Sequence, residues 1–294
     1  MRVVARAPAT VANLGSGFDC LAMALGLANE FEVDTGRDPA VVVEGEGAGE
    51  LPADATNLVF RTMAYLAREA GGALPPFALT CRNRIPLQRG LGSSAAAVVG
   101  GLVLADHLLG TGLGADRLLE VAADLEGHAD NVSACLLGGL VVAYLSDRGW
   151  RAEPLEPHPS LRPAVVVPLE ERMPTDDARR AIPRAVPLAD AAFNVARTAL
   201  AVLALTERPH LLRVALEDRL HQPHRLPLMP AARALYHDLR DAGFAVCVAG
   251  SGPSLLVFED EGQRVWDLGP GWRVERPGID RRGTVVEPAA GPER

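Results

Sequence analysis

Lysine is missing from this sequence altogether: all 29 basic residues among its 294 are arginines. That absence excludes mechanisms that need an ammonium group at the chemistry. A Walker A phosphate loop, a protein-kinase active site and a pyridoxal-phosphate Schiff base each place a lysine at the reacting centre. Any nucleotide handled here is held by backbone amides, a metal ion and arginine. Cysteine is sparse as well. Cys20, Cys81, Cys135 and Cys247 stand far apart with no Cys-x-x-Cys spacing, which argues against a zinc site or a disulfide framework and for buried free thiols. There is no run of about 20 uninterrupted apolar residues such as a membrane span requires, and Arg2, Arg6 and Pro8 interrupt the start where a signal peptide would be apolar. A cytoplasmic protein with no membrane partner is expected. No basic stripe relieves the net charge of -8, so nucleic acid is not an expected partner either. Neither of the two prominent glycine loops has the Gly-x-Ser-x-Gly order of a hydrolase elbow or the Gly-x-Gly-x-x-Gly order of a dinucleotide site.

What is present is enough apolar material, 48% of the chain, for one large domain or two smaller ones. Short β-branched runs bounded by Gly, Pro or Asp predict strands at 3–7, 31–35, 41–44 and 77–81. Helical spacing marks 57–70, a long helix from Ser93 or Ser94 to 109, and 116–126, before a buried strand at 136–145. Prolines 154, 157, 159 and 163 then weaken the pattern, and we divide the chain there into residues 1–155 and 156–294. Beyond lie strands at 164–167, 244–248 and 254–258 and helices near 176–182, 188–205, 210–220 and 231–242. From Pro277 onward the Pro-, Gly- and Arg-rich end is expected to fray.

Four constellations could carry chemistry. In Pro86-Leu-Gln-Arg-Gly-Leu-Gly-Ser-Ser-Ala-Ala-Ala97 a strand meets a loop with Gly90 and Gly92 and then an alanine-rich helix. The glycines allow close approach of backbone to an anion, and the free amides at a helix start favour one. An ordinary Ser-capped helix after a glycine turn would read the same way. The Gly250-Ser-Gly-Pro-Ser254 turn could offer amides to a ligand or simply close a hairpin. Asn13 and Asp19 flank a flexible Gly15-Ser16-Gly17 turn and could converge on one ligand, or bond their own backbone. In Glu126-Gly-His-Ala-Asp-Asn131, His128 and Asp130 are as much a structural pair as a site, while Glu120 falls opposite the apolar face made by Leu118, Val121, Ala122 and Leu125 and reads as a surface carboxylate.

Taken together and in this order, the segments resemble the GHMP kinase superfamily: Pro-Ala-Thr at 8–10, Pro-x-x-x-Gly-Leu-Gly-Ser-Ser-Ala at 86–95 and Gly-Ser-Gly-Pro-Ser at 250–254. Asn-Leu-Gly-x-Gly-Phe-Asp at 13–19, Glu-Gly-His-x-Asp-Asn at 126–131, Pro-Thr-x-x-Ala-Arg at 174–179 and His-x-Pro-x-Arg at 221–225 are similar to its homoserine kinase branch. Ser16 and Ala129 stand where that branch commonly has proline, which bears on loop stiffness.

The resemblance implies an α+β, two-domain GHMP kinase fold: an N-terminal ATP-binding domain like domain 2 of ribosomal protein S5, with a left-handed βαβ unit, and a ferredoxin-like C-terminal domain. It implies transfer of the ATP γ-phosphoryl group to L-homoserine with Mg²⁺, and a homodimer. By the same resemblance Pro86, Arg89, Gly90, Leu91, Gly92, Ser93, Ser94, Ala95 and Ala96 surround the phosphates, Asn57 lies near the adenosine, and Ser94 with Glu120 holds the metal. Asn13, Asp19, His128 and Asn131 form the catalytic set, and the substrate also meets Thr175, Arg179, Arg225 and Gly250. In-line attack without a strong general base is expected, with Asp19 as the proton acceptor if there is one. A GHMP kinase of another alcohol would lack the paired arginines. A ligand-sensing, non-catalytic member would lack the metal ligand or the loop serines.

Overall fold

The computed structural model describes residues 1–289. Its elements run β1 (Arg2–Asn13), β2 (Gly17–Asp34), β3 (Ala40–Gly45), α1 (Leu58–Glu69), β4 (Ala78–Asn83), α2 (Ser93–Leu109), α3 (Ala115–Glu126), α4 (Asp130–Leu137), β5 (Leu140–Ser146) and β6 (Gly149–Leu155). There follow β7 (Arg162–Pro168), α5 (Thr175–Arg180), α6 (Leu188–Thr206), α7 (Leu212–Ala215), α8 (Gln222–Arg225), α9 (Pro230–Asp241), β8 (Ala245–Val248), β9 (Leu255–Glu259), β10 (Trp272–Glu275) and β11 (Val285–Pro288).

Alternation in β1 sends Val3, Ala5 and Ala7 inward, and from Ala7 to Asn13 every residue is buried because the strand is covered on both faces. The first sheet has the order β11-β1-β2-β4-β3, with β5 on β2 and β6 on β5. Only β3 and β4 pair in parallel, and α1 joins them in a βαβ unit. The apolar helix α2 packs on β1 and β2 and against α1 and α3, and the loop before it is tied to β1, where Thr10 N donates to Leu91 O at 3.1 Å.

The second sheet, β10-β7-β9-β8, is antiparallel throughout. Val165, Val167, Cys247, Leu256 and Phe258 on one face join the main core with α6 and α7. Val166, Val246, Val248, Leu255 and Val257 on the other face meet Leu235, Tyr236 and Leu239 of α9. Strictly alternating apolar runs thus let one sheet serve two cores.

Several expectations need correction. The segment after Pro277 does not fray within the described residues: Ile279 bridges Leu25, Asp280 accepts a 2.7 Å bond from Arg6, and β11 pairs with β1. Residues 290–294, also in that expectation, lie outside those described. The helix expected over 210–220 breaks after Ala215, because Asp218 captures the backbone N–H groups of Leu220, His221 and Gln222. The strand expected from 136 begins at Leu140, since α4 runs on to Leu137 and Gly138 and Gly139 separate the two. Pro154 sits in β6, which pairs only with β5 and so tolerates a missing donor. One stretch approaches a membrane span after all: α6 contains an 18-residue window of mean hydropathy 1.5. It is bound into the fold by its polar residues, since Asn194 donates to Asp218 and Arg197 pairs with Glu217.

Candidate active site

A cavity of about 360 Å³, within the range of small-molecule sites, is lined by Asn13 and Asp19 on either side of the β1–β2 turn, the 86–94 loop, α5 and Arg225. The β1–β2 turn is held rigid. Gly15 O accepts from His221 Nε2 at 2.7 Å, Ser16 Oγ donates to Ala215 O at 3.2 Å, and Ser16 O accepts from Thr198 Oγ1 at 2.8 Å. Hydrogen bonds therefore supply the stiffness that proline at position 16 would give. Ala129, the other departure, accepts from Ser133 N at 2.9 Å as α4 begins.

Asn13 adopts a left-handed φ of 72° that its short polar side chain tolerates. Its Nδ2 donates to Gly250 O at 2.8 Å and its Oδ1 accepts from Asp19 N at 3.0 Å. The side chain is thereby taken up in joining β2 to the 250–254 turn. Asp19 faces Arg179 of α5, whose Nη1 and Nη2 donate to its two oxygens at 3.1 and 3.0 Å. Thr175 begins α5 and lines the same cavity.

At the 86–94 loop Gly90 and Gly92 have φ of 71° and 69°. A Cβ on Gly90 would lie 2.0 Å from Ala249 O, and one on Gly92 would lie 2.0 Å from Thr10 Oγ1. Glycine is required here by packing against the protein itself. Neither Ser93 nor Ser94 caps α2 as expected: Gly92 is the N-cap and no side chain bonds the first-turn amides. Ala95 and Ala96 are fully buried beneath that turn, so small side chains bring the helix end close to the sheet.

Ser94 Oγ instead donates to Glu126 Oε2 at 3.0 Å. Burial raises the Glu126 pKa, with His128 and the Ser94 bond opposing. Glu120 is not brought to Ser94. It lies outside the cavity, accepting from Arg151 at 2.7 Å and Arg117 at 3.2 Å, and the Arg151 bond is the main cause of its lowered pKa. Six residues at about 100° each turn Glu126 roughly 120° away from Glu120 on α3. In this geometry it is Glu126, and not Glu120, that meets Ser94.

His128 Nδ1 lies 2.8 Å from Asp130 Oδ1, an oxygen that also accepts from Asn131 N at 2.7 Å. Burial alone would lower the His128 pKa, but the Asp130 hydrogen bond and the charges of Asp130 and Glu126 outweigh it and the net shift is upward. Asn131 Oδ1 accepts from Thr10 Oγ1 at 2.7 Å, linking α4 to the strand under the loop.

Two expected nucleotide contacts are occupied by the protein. Arg89 donates through Nε to Pro168 O at 2.7 Å and through Nη1 to Leu87 O at 3.0 Å, pinning the loop to the end of β7. Asn57 caps α1, accepting from Val59 N at 3.0 Å and donating to Pro52 O at 2.9 Å. Both still line the cavity, as do Pro86 and Leu91.

The 250–254 turn does close the β8–β9 hairpin. Its contribution to the site is a carbonyl: Gly250 O accepts from Asn13 Nδ2 and from Arg225 Nη1, both at 2.8 Å. Arg225 is 2% exposed, burial lowers its pKa to about 10, and its buried Nε has no hydrogen-bond partner among the described residues. Sequence reasoning missed Glu126 as the partner of Ser94, and missed His221 and Asp218 beneath Arg225. The only signal was that Glu126 begins the Glu-Gly-His-x-Asp-Asn segment and His221 the His-x-Pro-x-Arg segment.

The GHMP kinases N terminal domain profile matches residues 57–139, the segment that contains the glycine loop, Glu126 and His128. The chain is 46% identical over 269 residues to homoserine kinase of Clavibacter michiganensis subsp. michiganensis, covering 90% of this chain and 85% of that one. It is 43% identical over 294 residues to homoserine kinase of Streptomyces avermitilis, covering 97% and 95%. The crystal structure of homoserine kinase from Cytophaga hutchinsonii superposes with a TM-score of 0.82 at 26% identity, over 97% of both chains. The two-sheet α+β arrangement is thus the GHMP kinase fold, and the chain belongs to the homoserine kinase family.

Proposed function

We propose that this chain transfers the γ-phosphoryl group of ATP to the hydroxyl of L-homoserine, giving O-phospho-L-homoserine and ADP. The observation that carries the proposal is one cavity lined both by the start of a 17-residue helix that has no side-chain cap and by two arginines from the far part of the chain. Free amides at a helix start suit phosphate, and guanidinium forks suit a carboxylate. A neutral alcohol such as a sugar would leave the buried Nε of Arg225 without an acceptor.

The donor set also fits Mg²⁺, a hard ion that prefers oxygen ligands. Ser94 Oγ and Glu126 Oε2, 3.0 Å apart at the helix start, are the residues that would hold it. When bound, Mg²⁺ supplies charge neutralisation on the phosphates. The chain's own residues do the positioning. Arg179 and Arg225 take the substrate carboxylate, which frees Asp19 from Arg179 to face the hydroxyl. As the new O–P bond forms and the bond to ADP breaks, Asp19 accepts the hydroxyl proton. Asn13 holds Asp19 in place, and His128 and Asn131 border the substrate through Asp130 and Thr10.

The same proposal has residues 1–155 as the ATP-binding domain and 156–294 as the second domain, with β11 returning to the first sheet. A cytoplasmic homodimer belongs to it too, supported by the family resemblance. A coupled ADP-release assay with homoserine, mevalonate, shikimate and galactose tests the activity. ADP release with homoserine alone is expected, and comparable release with any of the other three contradicts the proposal.

A further inference from the structure

His221 opens the His-x-Pro-x-Arg segment, yet no part of the proposed reaction uses it. The residue is fully buried, and both ring nitrogens are engaged. Nε2 lies 2.7 Å from Gly15 O and Nδ1 lies 3.2 Å from Arg225 Nη1. Phe18 stacks on its ring with centroids 5.5 Å apart, and the Arg225 guanidinium carbon lies 5.5 Å from the centre of the same Phe18 ring. Its backbone is fixed as well, because Asp218 Oδ2 accepts from His221 N at 2.9 Å and Gln222 N at 2.6 Å.

The partners dictate the proton. A carbonyl oxygen can only accept and a guanidinium can only donate, so Nε2 carries the hydrogen and Nδ1 presents a lone pair. A second proton on the ring would set two N–H groups against each other. Burial, with Arg225 adding to it and Asp218 opposing, pushes the His221 pKa down to about 4, so the ring is neutral at physiological pH.

The consequence falls on Arg225. Its Nη1 has two hydrogens, one directed to Gly250 O and the other to His221 Nδ1. The edge left for a ligand is Nε–H with Nη2–H. Arg276 uses that same edge on Glu259, with bonds of 2.9 and 2.8 Å, and Arg197 uses it on Glu217. In Arg225 the Nε is buried and has no partner among the described residues, a costly state that a ligand carboxylate would relieve.

We infer that His221 is a positioning residue for substrate recognition: its Nδ1 lone pair turns the Nε/Nη2 edge of Arg225 toward the carboxylate of the substrate, while its Nε2–H fixes the ring to the turn that carries Asp19. This rests on the proposal that Arg225 binds that carboxylate. It assigns specificity to a residue that itself touches no substrate.

Three variants test it by steady-state kinetics, with thermal melting and the ATP KM as controls for folding. His221→Gln keeps a donor toward Gly15 O and loses the acceptor at Nδ1, so the homoserine KM rises about tenfold or more while kcat and the ATP KM stay near wild type. His221→Asn restores an acceptor near the Nδ1 position, and its homoserine KM returns to within about threefold of wild type. Arg225→Lys raises the homoserine KM by at least about tenfold, because the fork is lost though the charge remains. A raised KM in Arg225→Lys with a normal KM in His221→Gln overturns the positioning role and leaves the carboxylate proposal standing. An unmoved KM in Arg225→Lys overturns both. If His221→Gln does not fold, His221→Asn decides alone: a KM raised as far as that of Arg225→Lys, with the ATP KM unchanged, overturns the inference.

Discussion

Arg179 and Asp19 meet in a two-point ion pair, Nη1 to Oδ2 at 3.1 Å and Nη2 to Oδ1 at 3.0 Å, that joins α5 to β2 across the cavity. Both side chains are 38% exposed, so water screens the pair and its contribution to stability is at most about 1 kcal/mol. A pair this weak can be exchanged for a substrate carboxylate without disturbing the fold. Arg179→Ala should therefore shift the melting temperature little while raising the homoserine KM by about tenfold or more. A large loss of stability with an unchanged KM would assign the pair to the fold alone.

The metal assignment separates two glutamates on one helix. Ser94→Ala and Glu126→Gln should each lower kcat by roughly 10²-fold, because each removes an oxygen donor from the start of α2. Glu120→Gln should stay within about twofold of wild type, since Glu120 faces Arg151 and Arg117 outside the cavity. Turnover measured across a Mg²⁺ titration checks all three, and a severe defect confined to Glu120→Gln would reverse the assignment.

Gly92 is constrained from two sides. Its φ of 69° disfavours any L side chain, and an added Cβ would lie 2.0 Å from Thr10 Oγ1. Thr10 in turn holds Asn131 at 2.7 Å. Gly92→Ala should displace the loop and weaken ATP binding by at least about tenfold, read by calorimetry. Unchanged nucleotide affinity would remove the loop from the site.

Acid should act through His221. Its pKa in the folded chain is depressed to about 4 from an ordinary value of 6.5, so the unfolded chain binds more protons between those values. Stability is then full above pH 6.5 and is lost as pH falls toward 4. Denaturant midpoints taken over that interval should fall with pH, and more steeply in wild type than in His221→Asn. Equal slopes would contradict the buried neutral ring.

How far this site could be seen beforehand depended on the range of the interactions. Helices α1 and α2 are local, periodic features, and the expected 57–70 and 93–109 agree with Leu58–Glu69 and Ser93–Leu109 to within a residue. The β1–β2 turn reads locally as a flexible Gly-Ser-Gly loop. Its rigidity comes from Ala215, Thr198 and His221, some 180 to 206 residues further along the chain. β11 is likewise invisible to local pattern, because its partner β1 lies at the other end of the chain. Motif order identified the residues around the cavity, while their division of labour required coordinates. Asn13, Asn57 and Arg89 are polar groups in the right place whose hydrogen bonds are taken by the protein itself.

Carboxylate recognition is most directly tested by comparing wild-type kcat/KM for homoserine with that for 3-aminopropan-1-ol, the same amino alcohol without the carboxylate. Leaving the buried Nε of Arg225 without an acceptor, and Arg179 still paired with Asp19, should cost the substrate that lacks the carboxylate at least about 10²-fold. A ratio within about threefold of unity would contradict the central claim that Arg179 and Arg225 select the substrate by its carboxylate.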